Sequence, residues 1–211
     1  MVPLEDGMGI VFEYKGVRYT ESEEVYPVRE DTLFLVGLVE DRLRGANGWM
    51  LEMGAGTGLA SLVAASMGWN VSSVDREPSS LSLLRYNLSL NDLSSELYLS
   101  DLFEGLPGRF LSTFDLIIFN PPYLRANGEE VDRRADLALV GGKDGTFVAE
   151  RFLRKCRPFL ADEGRIIILG YSGWEIEGLI ESCALAIVDG PPVEKDIDGE
   201  ILRAYILEGR S

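Results

Sequence analysis

Short apolar runs alternate along most of the chain with longer stretches in which apolar positions recur every three to four residues. A continuous apolar run bounded by polar or turn residues predicts a buried strand, and the longer spacing predicts a helix with one buried face. The predicted strands are 49–53, 71–75, 96–100, 115–119, 164–170, 184–188 and 201–207, and the predicted helices are 33–43, 59–67, 77–90, 146–159 and 174–182. This alternation predicts an α/β fold with a mostly parallel, doubly wound, seven-stranded sheet and helices on both faces.

Residues 1–24 do not continue the alternation. Two short runs, 11–14 and 17–19, flank Lys15-Gly16 and predict a small hairpin. The expected organisation is therefore an N-terminal extension, 1–24, followed by one domain, 25–211. At 211 residues and 46% hydrophobic composition, the chain is long enough to bury a core without disulfides.

Composition excludes several classes of chemistry. The chain has no histidine, which rules out Ser-His-Asp and Cys-His catalysis and His-ligated metal. Its two cysteines, Cys156 and Cys183, are far apart, and no metal site is predicted. A net charge of −15 argues against broad nucleic-acid binding. We find no membrane-spanning run and no signal peptide, and we expect a cytoplasmic protein.

A glycine-rich turn follows the first predicted strand of the domain, in Gly54-Ala-Gly-Thr-Gly58. A strand, a glycine turn and a helix together predict a nucleotide-type site, because glycine lets ligand atoms approach the backbone. The dinucleotide fingerprint would need Gly or Ala at position 59, where Leu59 stands. A turn without function is the alternative.

Acidic residues end or follow three neighbouring strands. Glu52 precedes the glycine turn, Asp75 ends the next strand and Asp101 follows the third. An acid in the position of Asp75 can accept hydrogen bonds from both ribose hydroxyls. Asp101 can accept from an adenine amine, although an acid there also initiates turns. These residues predict a pocket for an adenosine-containing ligand.

The fourth strand end carries Asn120-Pro-Pro-Tyr123. The prolines stop the strand, and the residue before a proline is held extended, which directs the Asn120 amide away from the strand. Rigid acceptors beside an aromatic ring suit a planar –NH2 group; the alternative is a turn stabilised by proline. An adenosine ligand that reacts with an amine without histidine, metal or nucleophile is most simply S-adenosylmethionine, whose methyl group is already activated.

Six segments, in chain order, carry a family pattern: 25–32 with Glu30-Asp-Thr32, 51–58, 100–105, 119–123 with Asn-Pro-Pro-Tyr, 141–145 and 199–202. Together they resemble the HemK-like release-factor glutamine methyltransferases, in particular the short archaeal and eukaryotic branch that lacks the bacterial N-terminal helical domain. The resemblance covers the chain from residue 25 onward and implies a Rossmann-like class I methyltransferase fold.

Several site residues follow from the resemblance by position. The implied cofactor contacts are Thr32, Glu52, Gly54, Ala55, Gly56, Gly58, Asp75, Asp101, Leu102 and Asn120, and the implied catalytic set is Asn120, Pro121, Pro122 and Tyr123. The implied reaction is methylation of the glutamine side-chain nitrogen in the Gly-Gly-Gln motif of a peptide chain release factor. A small zinc-containing activator subunit is an implied partner, with 96–100 as the candidate edge strand that it covers.

Three other hypotheses remain open. The same Asn-Pro-Pro-Tyr motif would suit an exocyclic amine such as adenine N6 in nucleic acid, with Tyr123 stacked on a flipped base. Arg125, Arg133 and Arg134 in the long loop 124–142 favour that substrate, and the net charge disfavours it. A non-catalytic cofactor-binding subunit and a nicotinamide oxidoreductase are the remaining alternatives.

Overall fold

A computed structural model describes residues 10–122, 145–197 and 199–210. The chain divides into two compact units, residues 1–105 and 106–211. Among the described residues, no helix is long and apolar enough to cross a membrane.

The first unit begins with a two-stranded hairpin and continues as alternating helices and strands. Its elements are β1 (Val11–Tyr14), β2 (Val17–Thr20), α1 (Glu30–Leu43), β3 (Trp49–Met53), α2 (Leu59–Ser66), β4 (Asn70–Asp75), α3 (Pro78–Ser89) and β5 (Glu96–Leu99). Strands β5, β4 and β3 are neighbours in that order and run parallel. The hairpin strands β1 and β2 pair with each other, as predicted.

Apolar residues of β3 and α2 form much of the interior of this unit. Strand β3 buries Met50, Leu51 and Met53, and the short helix α2 is buried along most of its length. Helix α1 begins at Glu30, three residues before the predicted start, and its N-cap residue is Arg29. Asp31 therefore lies inside the first turn, where its Oδ1 accepts a hydrogen bond of 2.7 Å from the Thr32 N–H.

The second unit contains the remaining strands and two helices. Its elements are β6 (Phe114–Phe119), α4 (Phe147–Cys156), β7 (Leu160–Tyr171), α5 (Glu177–Ser182), β8 (Leu185–Ile187), β9 (Val193–Ile197) and β10 (Glu200–Gly209), with 3-10 turns at Gly108–Phe110 and Arg157–Phe159. The strand order is β6-β7-β10-β8, and β9 also pairs with β10. Strands β6 and β7 are parallel, whereas β10 is antiparallel to β7, β8 and β9.

Two predicted elements of the second unit were wrong in detail. No strand was predicted between 184–188 and 201–207, but this segment contains β9, because Val193–Ile197 pairs with the start of β10 through a hairpin at Gly199. The described residues outside the N-terminal hairpin therefore form eight strands rather than seven. Helix α5 begins at Glu177 rather than at Trp174, whose ring packs against the backbone of Gly170 on β7.

Candidate active site

The carboxyl ends of three parallel strands in the first unit carry the predicted cofactor residues. Because β3, β4 and β5 run in the same direction, the glycine turn (Gly54–Gly58), Asp75 and Asp101 all follow strand ends at one edge of the sheet. Ligands of open α/β sheets bind at this edge. The first unit thus brings together these predicted residues from three separate segments.

The glycine turn is held in one conformation by its neighbours. Gly54, Gly56 and Gly58 all have positive φ angles, at 66°, 54° and 78°. The Ala55 N–H donates to the Val74 carbonyl at 3.0 Å. An added Cβ at Gly58 would overlap the Leu84 side chain on α3, so glycine is needed there for packing as well as for conformation.

The Asp75 carboxylate connects the glycine turn to the start of α3. Its Oδ2 accepts from the Gly56 N–H at 2.9 Å, and its Oδ1 accepts from the Glu77 N–H at 2.9 Å. Burial raises the pKa of Asp75, and these backbone hydrogen bonds oppose the rise. The Ser80 side chain also hydrogen-bonds to Asp75. A carboxylate oxygen can accept more than one hydrogen bond, so these contacts leave acceptor capacity on the carboxylate.

Glu52 lies at one end of a buried chain of hydroxyl groups. Ser61 on α2 donates both its N–H, at 2.9 Å, and its hydroxyl to Glu52 Oε2. The chain continues from Ser61 Oγ to Ser73 Oγ at 2.7 Å, to Ser95 Oγ at 2.8 Å and to the Val71 carbonyl at 3.0 Å. Four oxygen–oxygen contacts therefore share three serine protons.

A proton on Glu52 would complete this chain. When Glu52 is protonated, the direction of its bond with the Ser61 hydroxyl reverses: Glu52 donates to Ser61, each serine donates to the next, and Ser95 donates to the Val71 carbonyl. With Glu52 ionised, one of the four contacts lacks a hydrogen. Burial independently raises the pKa of Glu52 to about 7, although both hydrogen bonds from Ser61 oppose the rise. Glu52 therefore keeps its proton in the folded protein below about pH 7.

Asp101 and Leu102 lie in the turn that follows β5. Asp101 is exposed and Leu102 is buried, with φ at 53°. Leucine rarely adopts this left-handed conformation, which costs about 1 kcal/mol or more and concentrates at functional sites. Hydrogen bonds that hold the turn include Ser100 N–H to the Asp75 carbonyl at 3.0 Å, Glu104 N–H to the Asp101 carbonyl at 3.3 Å and Gly105 N–H to Ser100 Oγ at 2.7 Å.

In the second unit, Asn120 directly follows the buried strand β6. Phe119 packs on Phe152 of α4 with ring centroids 4.9 Å apart, which anchors the strand end. Asn120 is half-buried and Pro121 is buried. Tyr123, Arg125, Arg133 and Arg134 lie outside the described residues.

Sequence reasoning missed the polar groups that hold the cofactor residues. Ser61, Ser73 and Ser95 occur in a helix, a strand and a loop, and nothing in their spacing links them. Asn87 on α3, whose contacts include the glycine turn, carries no motif either. Among the described residues, no group of three or more His, Cys, Asp or Glu could hold a metal ion.

The known proteins that this chain resembles are methyltransferases. A family model described as the methyltransferase small domain matches residues 30–185. The chain is 35% identical over 163 residues to a Methanocaldococcus jannaschii protein provisionally named protein N5-glutamine methyltransferase, covering 76% of this chain and 79% of that protein. It is also 35% identical over 175 residues to the release factor glutamine methyltransferase of Deinococcus radiodurans, covering 79% of this chain and 61% of that protein.

Solved structures show the fold. The Thermus thermophilus 16S rRNA methyltransferase, solved with AdoMet and guanosine, matches with a TM-score of 0.69 at 23% identity, over 95% of this chain and 50% of that chain. The predicted Rossmann-like class I fold is confirmed, and so is the similarity to release-factor glutamine methyltransferases. The chain belongs to the methyltransferase small domain family.

Proposed function

We propose that this protein uses S-adenosylmethionine to methylate the side-chain amide nitrogen of the glutamine in the Gly-Gly-Gln motif of a peptide chain release factor. The observation that carries the proposal is the Asn120-Pro121-Pro122 segment at the end of β6, in a chain whose strands β3, β4 and β5 end at the residues predicted to bind an adenosine ligand. The names of the relatives support the substrate. The proposed methyltransferase domain comprises residues 25–211, after an extension of 1–24, and a release factor substrate implies a cytoplasmic enzyme.

The residues of the first unit fit the cofactor. Asp75 would accept from the ribose hydroxyls, and Asp101 with Leu102 would contact the adenine. The left-handed glycines leave the backbone of the turn accessible, because Gly54 is exposed and Gly56 is partly exposed. The resemblance places Thr32 near the methionine end.

The cofactor would supply a sulfonium methyl carbon that a nucleophile can attack directly, with S-adenosylhomocysteine as the leaving group and one amide proton lost to solvent. This chemistry is consistent with a chain that lacks histidine. The remaining difficulty is the weak nucleophile, since the lone pair of a carboxamide nitrogen is delocalised. The Asn120 side-chain oxygen and the Pro121 carbonyl would accept its two N–H hydrogens. As charge develops on the nitrogen, these hydrogen bonds strengthen, which stabilises the transition state more than the bound substrate. Tyr123 would pack against the flat amide.

The edge strand β5 is the proposed contact for a small zinc-containing activator subunit. Among the described residues, β5 pairs only with β4, and Leu99 on β5 is 59% exposed. A strand at the end of a sheet that carries an exposed leucine is a template for strand addition by another chain. A partner that covers this edge would complete the sheet and bury Leu99.

The test is mass spectrometry of a purified release factor after incubation with the enzyme and S-adenosylmethionine, with an oligonucleotide mixture in parallel. The expected product is one methyl group on the Gly-Gly-Gln glutamine, and none on a release factor in which that glutamine is replaced by glutamate. A methyl group on adenine would overturn the proposal in favour of the nucleic-acid reaction. If neither product forms, the assay is repeated with an activator subunit, and failure there would also overturn it.

Asn120→Ala tests the role of the amide in the same assay. We expect cofactor affinity to stay within about tenfold and turnover to fall strongly, because the Asn120 contact strengthens in the transition state. Asn70→Ala is the matched control, since Asn70 is an exposed asparagine at the opposite end of a strand, the start of β4. Equal turnover in wild type and Asn120→Ala would refute the role.

A further inference from the structure

Two asparagine side chains, Asn87 on helix α3 and Asn91 in the turn that follows it, hold strand β2 of the N-terminal hairpin. The Asn87 amide accepts from the Thr20 N–H at 2.9 Å and donates to the Thr20 carbonyl at 3.1 Å. Four residues further along the chain, the Asn91 amide accepts from the Arg18 N–H at 2.8 Å and donates to the Arg18 carbonyl at 2.7 Å. The two side chains thus pair with alternate residues of β2 as a neighbouring strand would.

Asn87 differs from Asn91 in one contact. Its Nδ2 also donates to the Thr57 carbonyl, at 3.0 Å, within the glycine turn. The second Nδ2 hydrogen bond of Asn91 instead goes to the Asn87 carbonyl on α3, at 2.7 Å. Asn87 is fully buried, so its amide has no competing water contact. A single side chain therefore connects the hairpin, α3 and the glycine turn.

The segment that follows the hairpin also packs against the glycine turn. Val25 is buried, and its Cγ1 lies 4.0 Å from the position that a Cβ on Gly56 would occupy. At the other end of the hairpin, Lys15 Nζ lies 2.6 Å from Glu40 Oε2 on α1, and the Tyr14 hydroxyl donates to the same oxygen at 3.2 Å. The hairpin is thus fixed at its tip, along β2 and at its exit.

We propose that Asn87 is a positioning residue for the cofactor-binding glycine turn, through which the N-terminal hairpin contributes to the affinity for the methyl donor. The role of the turn in binding S-adenosylmethionine rests on the proposed function. With the Thr57 carbonyl held by Asn87 and the Gly56 N–H held by Asp75, the turn is ordered before the ligand arrives. A preordered turn loses less entropy on binding, which increases affinity.

Asn87→Ala and Asn91→Ala form a matched pair, because each removes two hydrogen bonds to β2 but only the first releases Thr57. The first measurement is hydrogen–deuterium exchange of residues 54–58 in the cofactor-free protein. Loss of one hydrogen bond predicts exchange about tenfold faster in Asn87→Ala and unchanged in Asn91→Ala. This measurement does not depend on the identity of the ligand.

Calorimetric titration with S-adenosylmethionine is the second measurement. We expect the dissociation constant to rise about tenfold in Asn87→Ala and to stay near the wild-type value in Asn91→Ala, with kcat at saturating cofactor preserved in both. Failure of the wild type to bind would refute the proposed function, and the exchange data would still decide the positioning role.

Two outcomes would overturn the inference: equal effects of the two variants on exchange at 54–58, or no effect of either. If Asn87→Ala does not fold, Asn87→Asp replaces it. That side chain keeps the volume and the acceptor for the Thr20 N–H but has at most one proton, so it cannot bond to both the Thr20 and Thr57 carbonyls. Faster exchange at 54–58 is expected there too, and unchanged exchange would refute the role.

Discussion

Glu52→Gln tests whether the buried hydroxyl chain holds a neutral acid. In the folded protein the pKa of Glu52 rises from 4.5 to about 7 because of burial. Between these values the folded state keeps a proton that the unfolded chain has released, so the free energy of unfolding falls as pH rises. The contribution of Glu52 to stability is complete below pH 4.5 and is lost as pH passes through about 7.

The magnitude follows from the two pKa values. A difference of about 2.5 pH units at about 1.4 kcal/mol each gives about 3 kcal/mol in total. About 1.4 kcal/mol of this is lost by pH 5.5, which leaves about 2 kcal/mol between pH 5.5 and 8. That range lies above the sequence pI of 4.4, near which a protein is least soluble.

Urea denaturation of wild type and Glu52→Gln across pH 5.5 to 8 measures the effect, because other titrating groups cancel in the difference. Wild-type stability should fall relative to the variant by about 2 kcal/mol over this range. Glu163→Gln removes one exposed carboxylate and controls for the general effect of charge. A constant difference between wild type and Glu52→Gln would mean that Glu52 is ionised throughout, and would refute the proton count along the serine chain.

Three further predictions concern the glycine turn and the strand ends. Asp75→Asn should weaken S-adenosylmethionine binding by about tenfold or more, because it removes a charged acceptor; unchanged binding by calorimetry would make the ribose assignment wrong. Gly58→Ala should lower the free energy of unfolding by at least about 2 kcal/mol through positive φ and overlap with Leu84. Gly68→Ala, at a φ of 87° with open space around it, isolates the conformational part, and equal losses would refute the packing argument. Leu99→Arg on β5 should prevent co-purification with an activator subunit while leaving cofactor binding intact; retained co-purification would exclude the β5 edge as the contact.

The strand ends were predictable from the sequence because each follows a short apolar run. A strand that is buried on both faces has apolar residues at consecutive positions. The first polar or glycine residue after such a run marks the edge of the sheet. Gly54, Asp75 and Asn120 were located in this way, and the structure places each at or just after the end of a strand. Their chemical roles came from residue type and from the resemblance, and they remain proposals.

The contacts that support these residues were not predictable, because they join distant parts of the chain. Thr20 and Asn87 are 67 positions apart, and Ser73 and Ser95 are 22 apart. The sequence positions of these contacting residues repeat with neither the period of a helix nor that of a strand, so no local pattern reveals the contacts. Strand β9 was missed for a related reason: Val193–Ile197 is mostly exposed or half-exposed, so it lacks the apolar run that identifies a buried strand.

The glycine turn shows how the fold supplies order that the local sequence lacks. Glycines have the largest conformational freedom in the unfolded chain, so a turn with three of them is costly to order. Three successive backbone groups are each held by a different partner: Ala55 N–H by the backbone of β4, Gly56 N–H by Asp75, and Thr57 carbonyl by Asn87. Each such bond is worth about 1 kcal/mol, and together they order the turn within the folded protein rather than at the moment of binding. The residues that determine cofactor affinity should therefore include side chains, such as Asn87, whose role is to hold the turn in place.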